Sequence, residues 1–211
     1  MERWDGRELT ALLDALRQTE PQAPTLCEGW QARHLVSHLY LRRHKPWLAL
    51  QQGEDCEFAR LAIQASEPGG YQALIEHFAA APPAITPMAL LDGPLGLRIN
   101  FLEYLIHHED LRRGSGPVPA RELPPEQSDA IFDALPAFAA LTMRKLRVGV
   151  VFGVPGGRRN VVKQAGGGME SVAILAHPTE LALVASGRRR AADVQILGTD
   201  SAIESFTTAG F

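Results

Sequence analysis

Residues 100–113 read N-F-L-E-Y-L-I-H-H-E-D-L-R-R, and this stretch predicts a buried helix with polar side chains on its inward face. At the helical advance of about 100° per residue, four polar residues fall within an arc of about 80° that apolar positions flank on both sides. They are Asn100, Glu103, His107 and Asp110. A helix buries its apolar stripe, and a carboxylate and an imidazole removed from water are costly unless they are paired, hydrogen-bonded or bound to a metal. The stretch therefore requires a partner for these groups.

Glu103 and His107 are four residues apart, so both side chains lie on one face of the helix and can share an ion. Two ligands hold a metal weakly, and three ligands from different helices with one position left for water are typical of catalytic zinc. Two imidazoles and a carboxylate suit zinc best, although nickel, iron and manganese accept the same ligand types. A salt-bridged or solvated pair is the competing interpretation of the spacing.

His34 and His38, one turn apart in a predicted helix, lie on the shoulder of its apolar face, where periodicity favours surface or boundary histidines.

The composition is that of an ordinary soluble protein with one or two cores: 211 residues, 45% hydrophobic, 21% charged, with a formal net charge of -3. The start has no basic segment followed by an apolar run, and no stretch approaches the ~20 apolar residues that span a bilayer. We therefore predict a cytoplasmic protein without membrane contact. The near-neutral charge balance argues against nucleic acid as a partner. Cys27 and Cys56 form no C-x-x-C pair, which predicts reduced thiols that act as small packed residues.

The spacing of apolar residues predicts that the first two-thirds of the chain is helical. Helices are expected over residues 2–18, 31–45, 57–65, 71–81 and 128–146 besides the central helix, and residues 92–96 read as the turn before it. Farther on, β-branched runs predict strands over 148–154, 160–164, 171–176 and 193–197, with helices over 178–186 and 199–209. The expected fold is mainly α, with a helical bundle over residues 1–146 and a small α+β domain over residues 147–211.

Two segments carry a resemblance to a known family: residues 29–39, G-W-Q-A-R-H-L-V-S-H-L, and residues 103–113, E-Y-L-I-H-H-E-D-L-R-R. Together they resemble the DinB-like superfamily, in the branch of the mycothiol-dependent maleylpyruvate isomerases. Residues 177–188, H-P-T-E-L-A-L-V-A-S-G-R, are similar to the C-terminal domain of that branch. The resemblance implies a DinB-like four-helix bundle with Trp30 at a helix start and His38, Glu103 and His107 as metal ligands. It thereby selects His38 over His34.

Asp110 and Arg188 are the candidate catalytic residues. Asp110, one turn after His107, either hydrogen-bonds a ligand imidazole or pairs with an arginine of another helix. Arg188 is chosen because the C-terminal domain of the resembled isomerase contributes an arginine to the cleft and Arg188 falls in the Gly-Arg of the matched segment. A solvated helix end is the competing interpretation of the arginines at 188–190. Around them, His108 is expected at a boundary position, off the ligand arc, and the arginines at 112 and 113 are expected to form a cationic helix end.

The resemblance implies a metal-dependent transferase or isomerase that uses a low-molecular-weight thiol, mycothiol, on a small electrophilic substrate. A dication stabilises a deprotonated sulfur, which makes a strong nucleophile available at neutral pH. Two alternatives remain open on the residues alone: a metal-binding protein without catalysis, and a hydrolase that uses metal-bound water. The expected partners are the thiol and the substrate, and the expected assembly is a monomer or a homodimer.

Overall fold

The computed structural model describes residues 4–49, 51, 53, 55–82 and 94–210. The chain divides into two compact units, Met1–Val118 and Pro119–Phe211. The predicted fold class is confirmed, because helices dominate and a small four-stranded sheet lies in the second unit. Within the described ranges, the helices are too short or too polar to cross a membrane.

The first unit is helical, and its helices lie where the apolar spacing predicts them, within a few residues. They are α1 (Trp4–Arg17), α2 (Ala32–His44), α3 (Glu57–Gln64), α4 (Gly70–Ala79) and α5 (Pro94–Arg112). Helix α1 packs along α5, and α2 packs on α3 and α4. Leu12, Leu35 and Phe78 are fully buried in the core between them. Of the turn predicted over residues 92–96, positions 92 and 93 lie outside the described residues and the rest belongs to α5.

The second unit packs helices on a sheet. It contains α6 (Pro125–Thr142), β1 (Gly149–Gly153), β2 (Arg159–Lys163), β3 (Ser171–Leu175), α7 (Pro178–Ala185), β4 (Gln195–Leu197) and α8 (Asp200–Thr208). The strand order is β2-β1-β3-β4; β1 and β3 are parallel, and the outer pairings are antiparallel. Val150 and Phe152 of β1 are fully buried, as are Val172 and Ile174 of β3, because alternate side chains of a strand point to the same face.

The division between the units falls earlier in the chain than the boundary expected at residues 146 and 147. Helix α6 packs against α7 and β2, so by its contacts it groups with the sheet. Pro136 lies inside α6, and the helix continues through it. A domain boundary at residue 146 stays a prediction.

Candidate metal site

Three side chains from two helices of the first unit converge: His38 from α2, and Glu103 and His107 from α5. Their potential ligand atoms all lie within 4.8 Å of one another. His107 Nε2 stands 3.5 Å from Glu103 Oε2, which is longer than a good hydrogen bond. Nitrogen and oxygen ligands of a tetrahedral zinc ion, at bond lengths of about 2.0–2.2 Å, stand about 3.3–3.6 Å apart. The donor set therefore fits a small divalent cation in type, and the Glu103–His107 pair also has the spacing of two ligands.

Asp110 fixes the orientation of the His107 ring. Its Oδ2 lies 2.9 Å from His107 Nδ1, and the Asp110 side chain is fully buried. A carboxylate can only accept, so Nδ1 carries the proton and donates it. In the neutral ring this leaves the lone pair on Nε2, the atom that faces Glu103. Of the two partners open to Asp110 on sequence grounds, the structure shows the imidazole.

Glu103 is held as a carboxylate by positive charge around it. Arg42 of α2 places Nε 3.4 Å from Glu103 Oε2, and its Nη1 donates to Asn100 Oδ1 at 3.1 Å. Burial alone would raise the pKa of Glu103, but the interaction with His107 and the charge of Arg42 outweigh burial and lower this pKa to about 2. Asn100, the fourth residue of the arc, thus acts on the site through Arg42.

Aromatic rings surround His38. The ring centroid of Trp30, immediately before the start of α2, lies 5.3 Å from that of His38, and the His107 ring lies 5.2 Å away on an edge-to-face approach. Phe58 of α3 packs on Trp30 at 5.1 Å. The half-buried His38 therefore has an apolar wall on the Trp30 side and polar ligand atoms on the α5 side.

The neighbouring histidines have other roles. His34 Nδ1 accepts a hydrogen bond from the backbone N–H of Gln31 at 3.0 Å, so this ring caps the start of α2. His108, for which the sequence predicts a boundary position, is buried, with Nδ1 3.9 Å from Oε2 of Glu8, a buried carboxylate of α1. The prediction for His108 is wrong because α1 covers that side of α5, and periodicity within one helix does not show which helix packs on it.

The arginines at the end of α5 are not simply a cationic terminus in solvent. Glu109, which is fully buried, accepts from Arg112 Nη1 and from Arg113 Nε at 2.8 Å each. Arg113 is itself buried. Sequence reasoning missed Glu109 because it lies off the ligand arc, although its spacing of four residues from Arg113 is that of a helical ion pair.

Arg188 lies in the second unit, just after Gly187, whose φ of 84° turns the chain at the end of α7. Its Nη1 donates to the backbone oxygen of Ser186 at 2.6 Å. A role for Arg188 in catalysis stays a prediction.

The segment before α2, residues 24–30, is hydrogen-bonded to the end of α5. The backbone N–H of Leu26 donates to the carbonyl oxygen of Asp110 at 3.0 Å, and Cys27 Sγ donates to Asp110 Oδ2 at 3.2 Å. Gly114 meets the backbone of Pro24 and Thr25 so closely that a Cβ added there would overlap the Pro24 carbonyl group. The segment and the helix thus approach in a way that only glycine allows at position 114.

Replacing Gly114 with alanine is expected to lower the free energy of unfolding by about 1–3 kcal/mol, because the overlap is with backbone that cannot rotate away. The matched control is Gly6→Ala, in the exposed part of α1, where an added Cβ meets nothing within 4 Å. There the same change should raise stability by roughly 0.5–1 kcal/mol, because alanine favours a helix. Urea unfolding of both variants measures the two signs, and a Gly114→Ala protein as stable as wild type would contradict the close approach.

The fold and the convergent side chains define a class: a helical bundle in which two imidazoles and a carboxylate from two helices meet at one point. The profile of the mycothiol maleylpyruvate isomerase N-terminal domain matches residues 5–112, which contain all three side chains. The chain belongs to this family.

Solved structures agree with this assignment at the level of the fold. A crystal structure of a mycothiol-dependent maleylpyruvate isomerase is similar to the chain, with a TM-score of 0.58 and 16% identity over 94% of this chain and 91% of that chain. A histidine-to-alanine mutant of such an isomerase gives the same values. No curated protein sequence matches the chain.

Proposed function

We propose that the chain is a metal-dependent enzyme that uses a low-molecular-weight thiol, of the mycothiol type, as a transferase or isomerase acting on a small electrophilic substrate. The observation that carries the proposal is the 3.5 Å separation of His107 Nε2 and Glu103 Oε2, with His38 close enough to complete a three-ligand set. Family membership adds the thiol and the reaction class, since the related solved structure is a mycothiol-dependent isomerase.

The residues of the site have separate tasks. His38, Glu103 and His107 would hold one divalent cation, for which zinc is the best match and nickel, iron and manganese are compatible. When bound, the cation would stabilise the deprotonated sulfur of a thiol as a nucleophile at neutral pH. Asp110 keeps the His107 ring oriented through a 2.9 Å hydrogen bond, and His107 together with Arg42 holds the Glu103 carboxylate ionised.

The partners of the site are small molecules in this proposal: the thiol and the electrophile. Trp30 and Phe58 supply an apolar wall beside His38 that excludes water from one side. A cytoplasmic location, as either a monomer or a homodimer, accompanies the proposal.

Thiol dependence is the expected result of the decisive assay. Zinc-loaded protein is mixed with maleylpyruvate, with and without mycothiol, and loss of the substrate is followed by absorbance. Turnover is expected only when the thiol is present. The loaded zinc supplies the cation, but none of the three proposed ligands supplies a sulfur nucleophile. The matched control is the Glu103→Gln protein, which should lose turnover with the thiol present.

The other outcomes separate the competing functions. Loss of the substrate without thiol would contradict the proposal in favour of a hydrolase, with metal-bound water as the nucleophile. A protein that binds zinc but turns over neither maleylpyruvate nor a general thiol acceptor such as 1-chloro-2,4-dinitrobenzene would be a metal-binding protein without catalysis.

A further inference from the structure

Cys27 lies in the group of side chains behind the proposed metal ligands. Its Sγ lies 3.2 Å from Asp110 Oδ2, the same oxygen that accepts from His107 Nδ1 at 2.9 Å. The potential ligand atoms of Cys27, His107 and Asp110 all lie within 4.8 Å of one another. These three side chains are therefore either a second metal site or a chain of hydrogen bonds.

The distances favour hydrogen bonds. Nitrogen and oxygen ligands of a tetrahedral zinc ion stand about 3.3–3.6 Å apart, and a sulfur ligand stands farther from both because the zinc–sulfur bond is longer, at about 2.3 Å. The separations of 2.9 and 3.2 Å are shorter than that. Both are ordinary values for a donor and its acceptor when the acceptor is a charged oxygen or the donor is a thiol.

The backbone places Cys27 at this oxygen. Leu26, the residue before it, donates its N–H to the Asp110 carbonyl oxygen at 3.0 Å. Thr25 Oγ1 accepts from the backbone N–H of Cys27 at 3.2 Å and donates to the carbonyl oxygen of Trp30 at 2.9 Å. The thiol is thus held at the carboxylate by the same segment that delivers Trp30 to the side of His38.

We infer that Cys27 is a positioning residue of the site: its S–H donates to Asp110, fixes the carboxylate against His107, and so holds Nε2 toward the cation. The inference rests on the proposed function, since it concerns the affinity of the same three ligands. It assigns Cys27 a role that its type and spacing in the sequence do not suggest. The thiol takes no part in bond making in this role.

The test is zinc affinity, measured by competition with a chromophoric chelator on metal-free protein. Cys27→Ser keeps a donor and should bind zinc within about threefold of wild type, whereas Cys27→Val keeps bulk without a donor and should bind about three- to tenfold more weakly. The loss is expected to be smaller than the roughly 10–100-fold typical of outer-shell partners of a ligand, because a thiol is a weak hydrogen-bond donor. Cys56→Ala, at the other half-buried cysteine, is the control and should leave affinity unchanged.

The result that overturns the inference is equal zinc affinity in Cys27→Ser and Cys27→Val, whether both match wild type or both are weaker. That outcome leaves the proposed function standing as long as His38→Ala has lost zinc in the same assay. If His38→Ala binds zinc as wild type does, the three-ligand site is wrong, and the role of Cys27 is overturned with it. Thermal unfolding of each variant shows that folded proteins are compared.

Discussion

Zinc affinity is expected to fall by at least about 100-fold when His107 is replaced with alanine, because two remaining ligands hold a dication poorly. His38→Ala and Glu103→Ala should have the same result, since each removes one ligand of the set. Asp110→Asn should be intermediate, with a loss of roughly 10–100-fold, because it disturbs the hydrogen bond to His107 Nδ1 and removes no ligand. Chelator competition with metal-depleted protein measures the series.

His34→Ala is the matched control on the same helix as His38. His34 is also half-buried, but its ring caps the start of α2, so its removal should leave zinc affinity unchanged. Equal losses in His34→Ala and His38→Ala would show that the effect comes from disturbing α2. If Glu103→Ala binds zinc fully, Glu103 is not a ligand, and Glu103 and His107 form only a buried ion pair. Arg188→Ala should leave zinc content unchanged and affect turnover alone, if Arg188 contributes to catalysis.

Replacing Glu109 with alanine is expected to lower the free energy of unfolding by about 3–5 kcal/mol, because it removes a carboxylate that pairs with a buried arginine. The Glu109 side chain is fully buried and that of Arg113 is 3% exposed, with 2.8 Å between Oε2 and Nε. Because Arg113 is buried, water does not readily replace the lost carboxylate, so burial of the arginine charge adds to the cost of the lost contact. Urea unfolding measures the change.

Glu76→Ala is the matched control, since Glu76 also pairs with an arginine, Arg17, at 2.9 Å. These two side chains are 61% and 41% exposed, so water replaces the lost partner and the loss of stability should be much smaller than that of Glu109→Ala. Comparable losses from Glu109→Ala and Glu76→Ala would contradict the importance of burial. Both variants remove a glutamate that pairs with an arginine at nearly the same distance, and the two pairs differ mainly in their exposure to solvent.

The local pattern of apolar residues and helix or strand breakers in the sequence is sufficient to predict where the helices and strands lie. Helices α2 and α5 have apolar residues at helical spacing, and β1 and β3 are rich in β-branched residues, with a glycine-rich turn after β1 and another before β3, so the period and the breakers locate them closely. The polar arc of α5 likewise places Glu103, His107 and Asp110 on one face from their spacing alone. These features depend on residues that are near one another in the chain.

The rest of the site depends on packing between helices. Periodicity does not choose between His34 and His38, because both lie on the shoulder of α2; the choice rests on the family resemblance, and the structure places His38 beside His107. Arg42 and Cys27 are not predicted at the site. Each reaches α5 from a distant part of the chain, and no short-range spacing records such a contact.

The hydrogen bonds that join Leu26 and Cys27, before α2, to Asp110 of α5 have a consequence for the order of folding. Cys27 and Asp110 are 83 positions apart, so their contact requires a long loop to close, whereas the hydrogen bonds within each helix join residues four positions apart. The proposed metal site is therefore expected to assemble later than the individual turns of α2 and α5. A cation that binds only the completed site would then stabilise the native state selectively. Removal of the cation would favour partly folded species that are exposed to proteolysis.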